Sequence, residues 1–398
     1  MNCPETQIGN TDRPPISKKE LATAIHDHLI GCGFTKNGNA YGFAEQPTKE
    51  IVRQLHALNR EERLVRDRSF LDDKFTLLVE HLAKGSELVP GAITPELIEV
   101  RSGTLESDLF RLATHLWSVP VSNGFGRRLR FLVMDKNNGK LIGIFAIGDP
   151  VFNLSARDKW VEWTSEDRKK RLSSVMDAFV VGAVPPYSYL IGGKLVAALM
   201  TSSEVQKAFE RKYSGRSGII SKVEKPAILA LLTTTSALGR SSLYNRLTLS
   251  NGIRFIRMGT TKGFGHFHLS GDIFEMMREY LEQQEHPYAS GHKFEDGPNW
   301  RFRVIRAAVE AVGYNGDGVL RHGVEREAYA IPLATNWRDI LLGKTNTAEF
   351  LSLSASDIST YCLNRWVIPR STRDDRFRSF DPESITQSIF NNEVNLRL

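Results

Sequence analysis

Cysteine is scarce in this chain: Cys3, Cys32 and Cys362 are the three present in 398 residues. They are far apart, odd in number and form no Cys-x-x-Cys pair. That argues against a disulfide framework and a structural zinc site, and it predicts a reducing, cytoplasmic location. Long apolar runs are missing as well. The most apolar stretch, residues 190–200, is interrupted by Gly192, Gly193 and Lys194. It falls short of the roughly 20 residues that cross a bilayer, so no membrane partner is expected. The opening MNCPETQIGNTDRPP is polar and proline-broken, unlike a secretory leader. There is no Gly-x-Ser-x-Gly elbow and no cysteine in a charged, glycine-lined turn, which leaves serine-hydrolase and Cys–His chemistry unsupported. Internal repeats and low-complexity segments are absent too.

What is present is ordinary for a globular protein, with 41% hydrophobic and 25% charged residues. The 52 basic and 46 acidic residues leave a net charge of +6, which permits phosphate contact without requiring it. Positive charge concentrates in Gly126-Arg127-Arg128-Leu129-Arg130, in Arg168-Lys169-Lys170-Arg171, and between Arg365 and Arg378. Such runs are either solvated faces or contacts to nucleic acid.

Three regions differ in texture: a helical N-terminal region (1–120), an α/β core (121–264) and a mixed C-terminal region with a basic tail (265–398). In the core, apolar runs at 131–134 and 141–147 flank Asn137-Asn138-Gly139, which predicts a hairpin with a type I′ turn. Thr164-x-x-Asp167 then opens a helix to about Ser174. A strand at 179–184, a helix at 190–200, a strand at 227–233, a helical stretch at 241–247 and a strand at 253–258 follow. Short apolar runs without alternation suit a mixed sheet covered by helices on both faces, an α+β or α/β architecture. The last region opens with an amphipathic helix behind Ser270, burying Ile273, Phe274, Met276, Met277, Tyr280 and Leu281. A second helix (300–312) and a strand (328–333) come later.

Several residues carry chemistry. Gly192 and Gly193 stand at a helix start, where free backbone N–H groups form an anion site. Gly259, Thr260, Thr261 and Lys262 gather amides, hydroxyls and an ammonium, which suits phosphate, although glycine also serves plain turns. Asp158 could set a catalytic carboxylate at the mouth of the sheet, with Trp160, Trp163 and Arg240 lining a substrate or nucleic-acid cleft; alternatively Trp160 caps the core. His266 and His268 would share one face of a strand near Asp272, but no second ligand cluster is visible, so no metal is expected. Arg365, Arg376 and Arg378 interleave with Trp366, Phe377 and Phe380, a pairing that fits single-stranded nucleic acid or a docked protein.

The order of strand, glycine turn, helix, strand and Tyr-bearing helix resembles the Gcn5-related acyltransferases. That resemblance implies acyl-coenzyme A as cofactor, Gly192 and Gly193 in its pyrophosphate loop, and Tyr244 as the acid that protonates the departing thiolate. The Arg/Gln-x-x-Gly-x-Gly/Ala signature of that loop is not matched here. A second set of motifs is ordered along the chain: Ala156-Arg157-Asp158-Lys159-Trp160, Trp163, Gly239-Arg240-Ser241-Ser242-Leu243-Tyr244 and Gly259-Thr260-Thr261-Lys262-Gly263-Phe264-Gly265. These are similar to the DruA family, part of the bacterial Druantia anti-phage system. The likeness is firmest between Arg127 and Gly265, and it implies work in phage defence beside partner proteins of the same system, on or near phage DNA or single-stranded nucleic acid. The roles left open are an acyl- or aminoacyl-transferase modifying nucleic acid or protein, and a non-catalytic DNA-binding adaptor.

Overall fold

The computed structural model describes residues 14–124, 126–217, 226–289 and 300–390; the polar opening segment with Cys3 lies outside them. In chain order the elements begin with helix α1 (Lys18–Gly31), strands β1 (Thr35–Asn37) and β2 (Ala40–Gly42), and helices α2 (Lys49–Arg66) and α3 (Arg68–Val79). Strand β3 (Pro95–Glu99), helix α4 (Leu105–Ala113), strands β4 (Arg128–Asp135) and β5 (Lys140–Gly148), and helices α5 (Ser155–Val161) and α6 (Ser165–Arg171) come next. They lead to strand β6 (Val175–Ala183), helices α7 (Gly192–Leu199) and α8 (Ser203–Tyr213), and strands β7 (Leu231–Thr235) and β8 (Ile256–Thr260). Helices α9 (Asp272–Gln283), α10 (Trp300–Ala311) and α11 (Gly316–Leu320) precede strand β9 (Glu327–Pro332). Helices α12 (Trp337–Leu341), α13 (Ala355–Cys362), α14 (Ile368–Ser371) and α15 (Glu383–Phe390) complete the set. None is long and apolar enough to cross a membrane.

Two compact units are formed, and neither is one continuous segment. The first combines residues 1–47 with 263–323. Its α1 starts at a reciprocal cap, in which the Glu20 N–H donates to the Ser17 hydroxyl and the Ser17 N–H to the Glu20 carboxylate. Leu21, Ile25 and Leu29 then recur every four residues on the buried stripe. At α9 the cap is Gly271, not Ser270: Gly271 adopts φ 72°, while the Ser270 hydroxyl donates to the Phe267 carbonyl. Met276 is only half-buried, unlike its stripe neighbours. His266 and His268 sit in a turn instead of a strand, so they do not share a face. His268 is buried with Nε2 3.0 Å from the Val319 carbonyl, and burial pushes its pKa down to about 3.

The second unit, residues 48–262 with 324–398, holds a seven-stranded sheet in the order β3-β4-β5-β6-β7-β9-β8. All neighbours are antiparallel except β6 and β7. The sheet draws on all three sequence regions. Strand β3 lies in the stretch expected to be helical, because the five residues from Pro95 to Glu99 gain a strand partner only from distant β4. Strand β9 inserts between β7 and β8, so β8 is the edge of the sheet. The β4–β5 hairpin forms as expected, but its loop has only Gly139 at positive φ and is not type I′. Asp135 organises it by accepting the Asn137 and Thr94 N–H groups. The Thr164–Asp167 cap opens α6 as the spacing requires.

One sheet face packs on α7, α8 and α13 through Met176, Leu195, Phe209, Ile331 and Ile358. The other is covered by α3, α4 and α15 near β5, and by α5 and α12 near β7 and β9. The stretch 241–247 forms turns, not the expected helix. The Tyr244 N–H donates to the Ser241 hydroxyl, a local bond that competes with helical pairing, and Arg246 sits at φ 63°.

Candidate functional site

Strands β6 and β7 stay paired for three rungs, Val175–Leu231, Met176–Leu232 and Asp177–Thr233, and then part. Beyond that point β6 remains with β5, and β7 remains with β9. The parting coincides with a bulge: Ile147 faces Ala178 and Ala146 faces Val180, so Phe179 is an extra residue in β6. A bulge bends its strand and raises its twist, which turns β6 away from β7. Parting strands leave backbone groups without a ladder partner, and here a side chain answers one of them. The Thr234 hydroxyl donates to the Ala178 carbonyl over 2.9 Å.

Asp177 is a charged group at this last rung, and the sequence reading passed over it. It is half-buried, accepts a 2.7 Å hydrogen bond from the Thr233 hydroxyl, and has no ion-pair partner among the described residues. Burial pushes its pKa up to about 6, against the smaller opposing effects of that hydrogen bond and of Arg157. Because side chains alternate along a strand, Asp177 shares the face of Val175, toward α5.

Tyr244 belongs to the other face, with Leu232 and Met176. Its ring stacks on Phe255 at 5.7 Å and leans on Tyr329 at 5.4 Å. The ring is almost sealed, at 7% exposure, and burial pushes the phenol up to about 12. The turn that carries Tyr244 also reaches α7. A Cβ on Gly192 would stand 2.6 Å from the Tyr187 carbonyl, so glycine is needed there for close packing, while one on Gly193 would press the Leu243 side chain at 3.0 Å.

Next to these glycines three cations converge without a carboxylate partner among the described residues. Lys194, in the first turn of α7, has its pKa lowered by burial and by the charges of Arg365 and Arg246. Its ammonium lies 5.2 Å from the centre of the Trp366 ring, and Arg365 lies 5.8 Å from that of Tyr361. Ile191, just before α7, and Arg246, within the cluster, adopt left-handed backbone conformations that cost a side chain strain.

The remaining sequence candidates are spread apart. Asp158 lies in α5, with one carboxylate oxygen held by Arg157 at 2.7 Å and the other by Arg168 at 2.7 Å. Arg157 is wholly buried and also donates to the Val151 and Phe152 carbonyls. Trp160 stacks face to face on Trp337 at 4.4 Å, and the Trp163 indole N–H donates to the Leu341 carbonyl, so both rings are committed to packing. Gly259 and Thr260 belong to β8, and the Thr261 N–H is spent on the Arg326 carbonyl, which leaves Lys262 exposed beside them. Arg240 is exposed on the turn after β7, which Glu327 pins by accepting the Ser241 N–H. In the tail, Asp374 binds both Arg370 and Arg376, and Asp375 binds Arg378, while Phe377 and Phe380 are buried. Arg365 alone of the tail arginines named from sequence therefore joins the α7 cluster. Lys194 and Arg246 were not singled out: only the fold brings residues 52 positions apart to one spot. Among the described residues no group of three or more His, Cys, Asp or Glu could hold a metal ion.

These features define a mixed α+β protein in which a parallel strand pair parts after three rungs and, among the described residues, three cations without a carboxylate partner gather at a helix start. The family model for "Druantia protein DruA" matches residues 46–343, and the chain belongs to the DruA family. It is 42% identical over 381 residues to Druantia protein DruA of Escherichia coli (strain UMEA 4076-1), covering 95% of this chain and 94% of that protein. No solved structure matches the chain.

Proposed function

We propose that this protein is a component of a multi-protein anti-phage defence system, and that its core is of the acyltransferase type and acts on or beside nucleic acid. Family membership supports the first part. The observation that carries the second is the parting of β6 and β7 just past Asp177 and Thr233, with the basic cluster of Lys194, Arg246 and Arg365 at the start of the following helix. A ligand with a pyrophosphate and an acyl arm, such as acyl-coenzyme A, fits that combination. Its phosphates would meet the three cations and its arm would run toward the gap. Asp177, poised near pH 6, suits a general base, and Tyr244, protonated well above neutral pH, suits the proton donor to a leaving thiolate. In this reading Asp158 is a positioning residue that holds Arg157 and Arg168, and cofactor contact falls to Gly192, Gly193 and Lys194.

The test is phage plating on cells carrying the complete native gene cluster. Deleting this gene, or substituting Asp177→Asn, is expected to restore plating to the level of cells without the cluster. Full protection after the deletion would end the defence reading. Protection lost on deletion but kept in D177N would remove the catalytic role of Asp177 alone.

A further inference from the structure

The segment Gly263-Phe264-Gly265 holds an exposed ring on the first compact unit. Phe264 is 46% exposed, although burying a phenylalanine is favourable. Two backbone hydrogen bonds fix it there. The Gly265 N–H donates to the Leu320 carbonyl over 3.0 Å, and the Gly323 N–H donates to the Gly263 carbonyl over 3.1 Å. Between these two bonds Phe264 faces Arg321 and His322. Both flanking glycines are used: Gly263 takes φ 62°, and a Cβ on Gly265 would press the His322 ring at 3.1 Å. His322 is buried against Phe267, so Arg321 is the exposed member of the facing pair.

The ring is also backed. Phe302, in the first turn of α10, stacks on it with centroids 5.7 Å apart and planes 4° from parallel, and His266 meets Phe302 edge-on at 4.6 Å. An aromatic plane held this way has little freedom left to lose when another plane settles on it. Arg321 has no carboxylate partner among the described residues. An exposed π-face beside such a cation suits an unstacked base and its phosphate, whereas a base inside a duplex offers no face to it. We propose that Phe264, backed by Phe302, is a stacking platform for an unpaired base of single-stranded nucleic acid, with Arg321 meeting the adjacent phosphate. This rests on the reading that the protein works on or beside nucleic acid, and it names the form of nucleic acid taken. A docked apolar side chain would use the bulk of Phe264 but not its plane, and the test separates the two.

The experiment is fluorescence anisotropy of the full chain with a labelled single strand of about 20 bases and the same sequence as a duplex, between about 50 and 200 mM salt. The unaltered protein is expected to bind the single strand more tightly. Phe264→Ala should weaken that binding about fivefold or more, the share of one stacked base. Phe264→Leu, which keeps apolar bulk but not the plane, should weaken it as much. Arg321→Gln should lower the salt slope by about 0.7, one phosphate contact on a single strand. No binding of either form by the unaltered protein would overturn the nucleic-acid reading itself. Single-strand binding that Phe264→Ala keeps, or that Phe264→Leu restores, would overturn only the platform. Tighter binding to the duplex would overturn its assignment to an unpaired base, and an unchanged salt slope in R321Q would remove Arg321 from the contact.

Discussion

The Thr233 hydroxyl donates to the Asp177 carboxylate over 2.7 Å at the last rung that joins β6 to β7. One strand position further, the Thr234 hydroxyl donates to the Ala178 carbonyl. Two successive threonines thus serve the two sides of the junction where the parallel pair ends.

Asp177 makes stability depend on pH in a direction opposite to that of a salt-bridged carboxylate. Its folded pKa is raised to about 6, so the fold favours the protonated form. The advantage is complete below the unfolded value near 3.8 and is lost as pH rises through 6. Asp177→Asn is therefore expected to match the unaltered protein near pH 4. At pH 7 it should exceed it by no more than about 3 kcal/mol, reduced by the partial exposure of the carboxylate. Urea unfolding at several pH values reads this; an equal loss in D177N at every pH would contradict it.

Arg157 should be among the costliest single losses. Removing a wholly buried guanidinium leaves the Val151 and Phe152 carbonyls and one oxygen of Asp158 unanswered. Arg157→Met is expected to destabilise the protein by about 3–5 kcal/mol, measured by denaturant midpoint. A cost comparable to that of an exposed arginine would show that α5 is not anchored this way.

Gly192 tolerates no side chain without movement, because a Cβ would meet the Tyr187 carbonyl at 2.6 Å. Gly192→Ala is expected to cost about 1–3 kcal/mol, as overpacking does. A neutral result would mean that the turn before α7 shifts freely.

The three cations at α7 repel one another when no ligand is bound. Lys194→Gln is expected to raise Tm slightly at low salt, with the gain fading as salt screens the charges. A Tm that falls at every salt concentration would show Lys194 to be structural.

Local chemistry made much of the fold readable from the sequence. The Thr164–Asp167 cap, the β4–β5 hairpin and the apolar stripe of α9 each depend on residues a few positions apart. The failures involve distant partners. Strand β3 exists because of β4, and β9 enters the sheet between strands that precede it by about a hundred and by seventy residues. Tyr244 is readable as a residue of interest, yet its segment, held by the Ser241 hydroxyl, forms turns and not the expected helix. Asp177 stood inside an apolar run and gave no local signal. The clustering of Lys194, Arg246 and Arg365 depends wholly on how three separate segments meet.

Isothermal titration calorimetry of acetyl-coenzyme A into the full chain and into Lys194→Gln/Arg365→Gln tests the opened strand pair and its basic cluster most directly. Saturable binding below millimolar concentration, weakened at least tenfold in the double variant, is the expected result. Absence of heat at millimolar cofactor, or equal affinity in both proteins, would contradict the account.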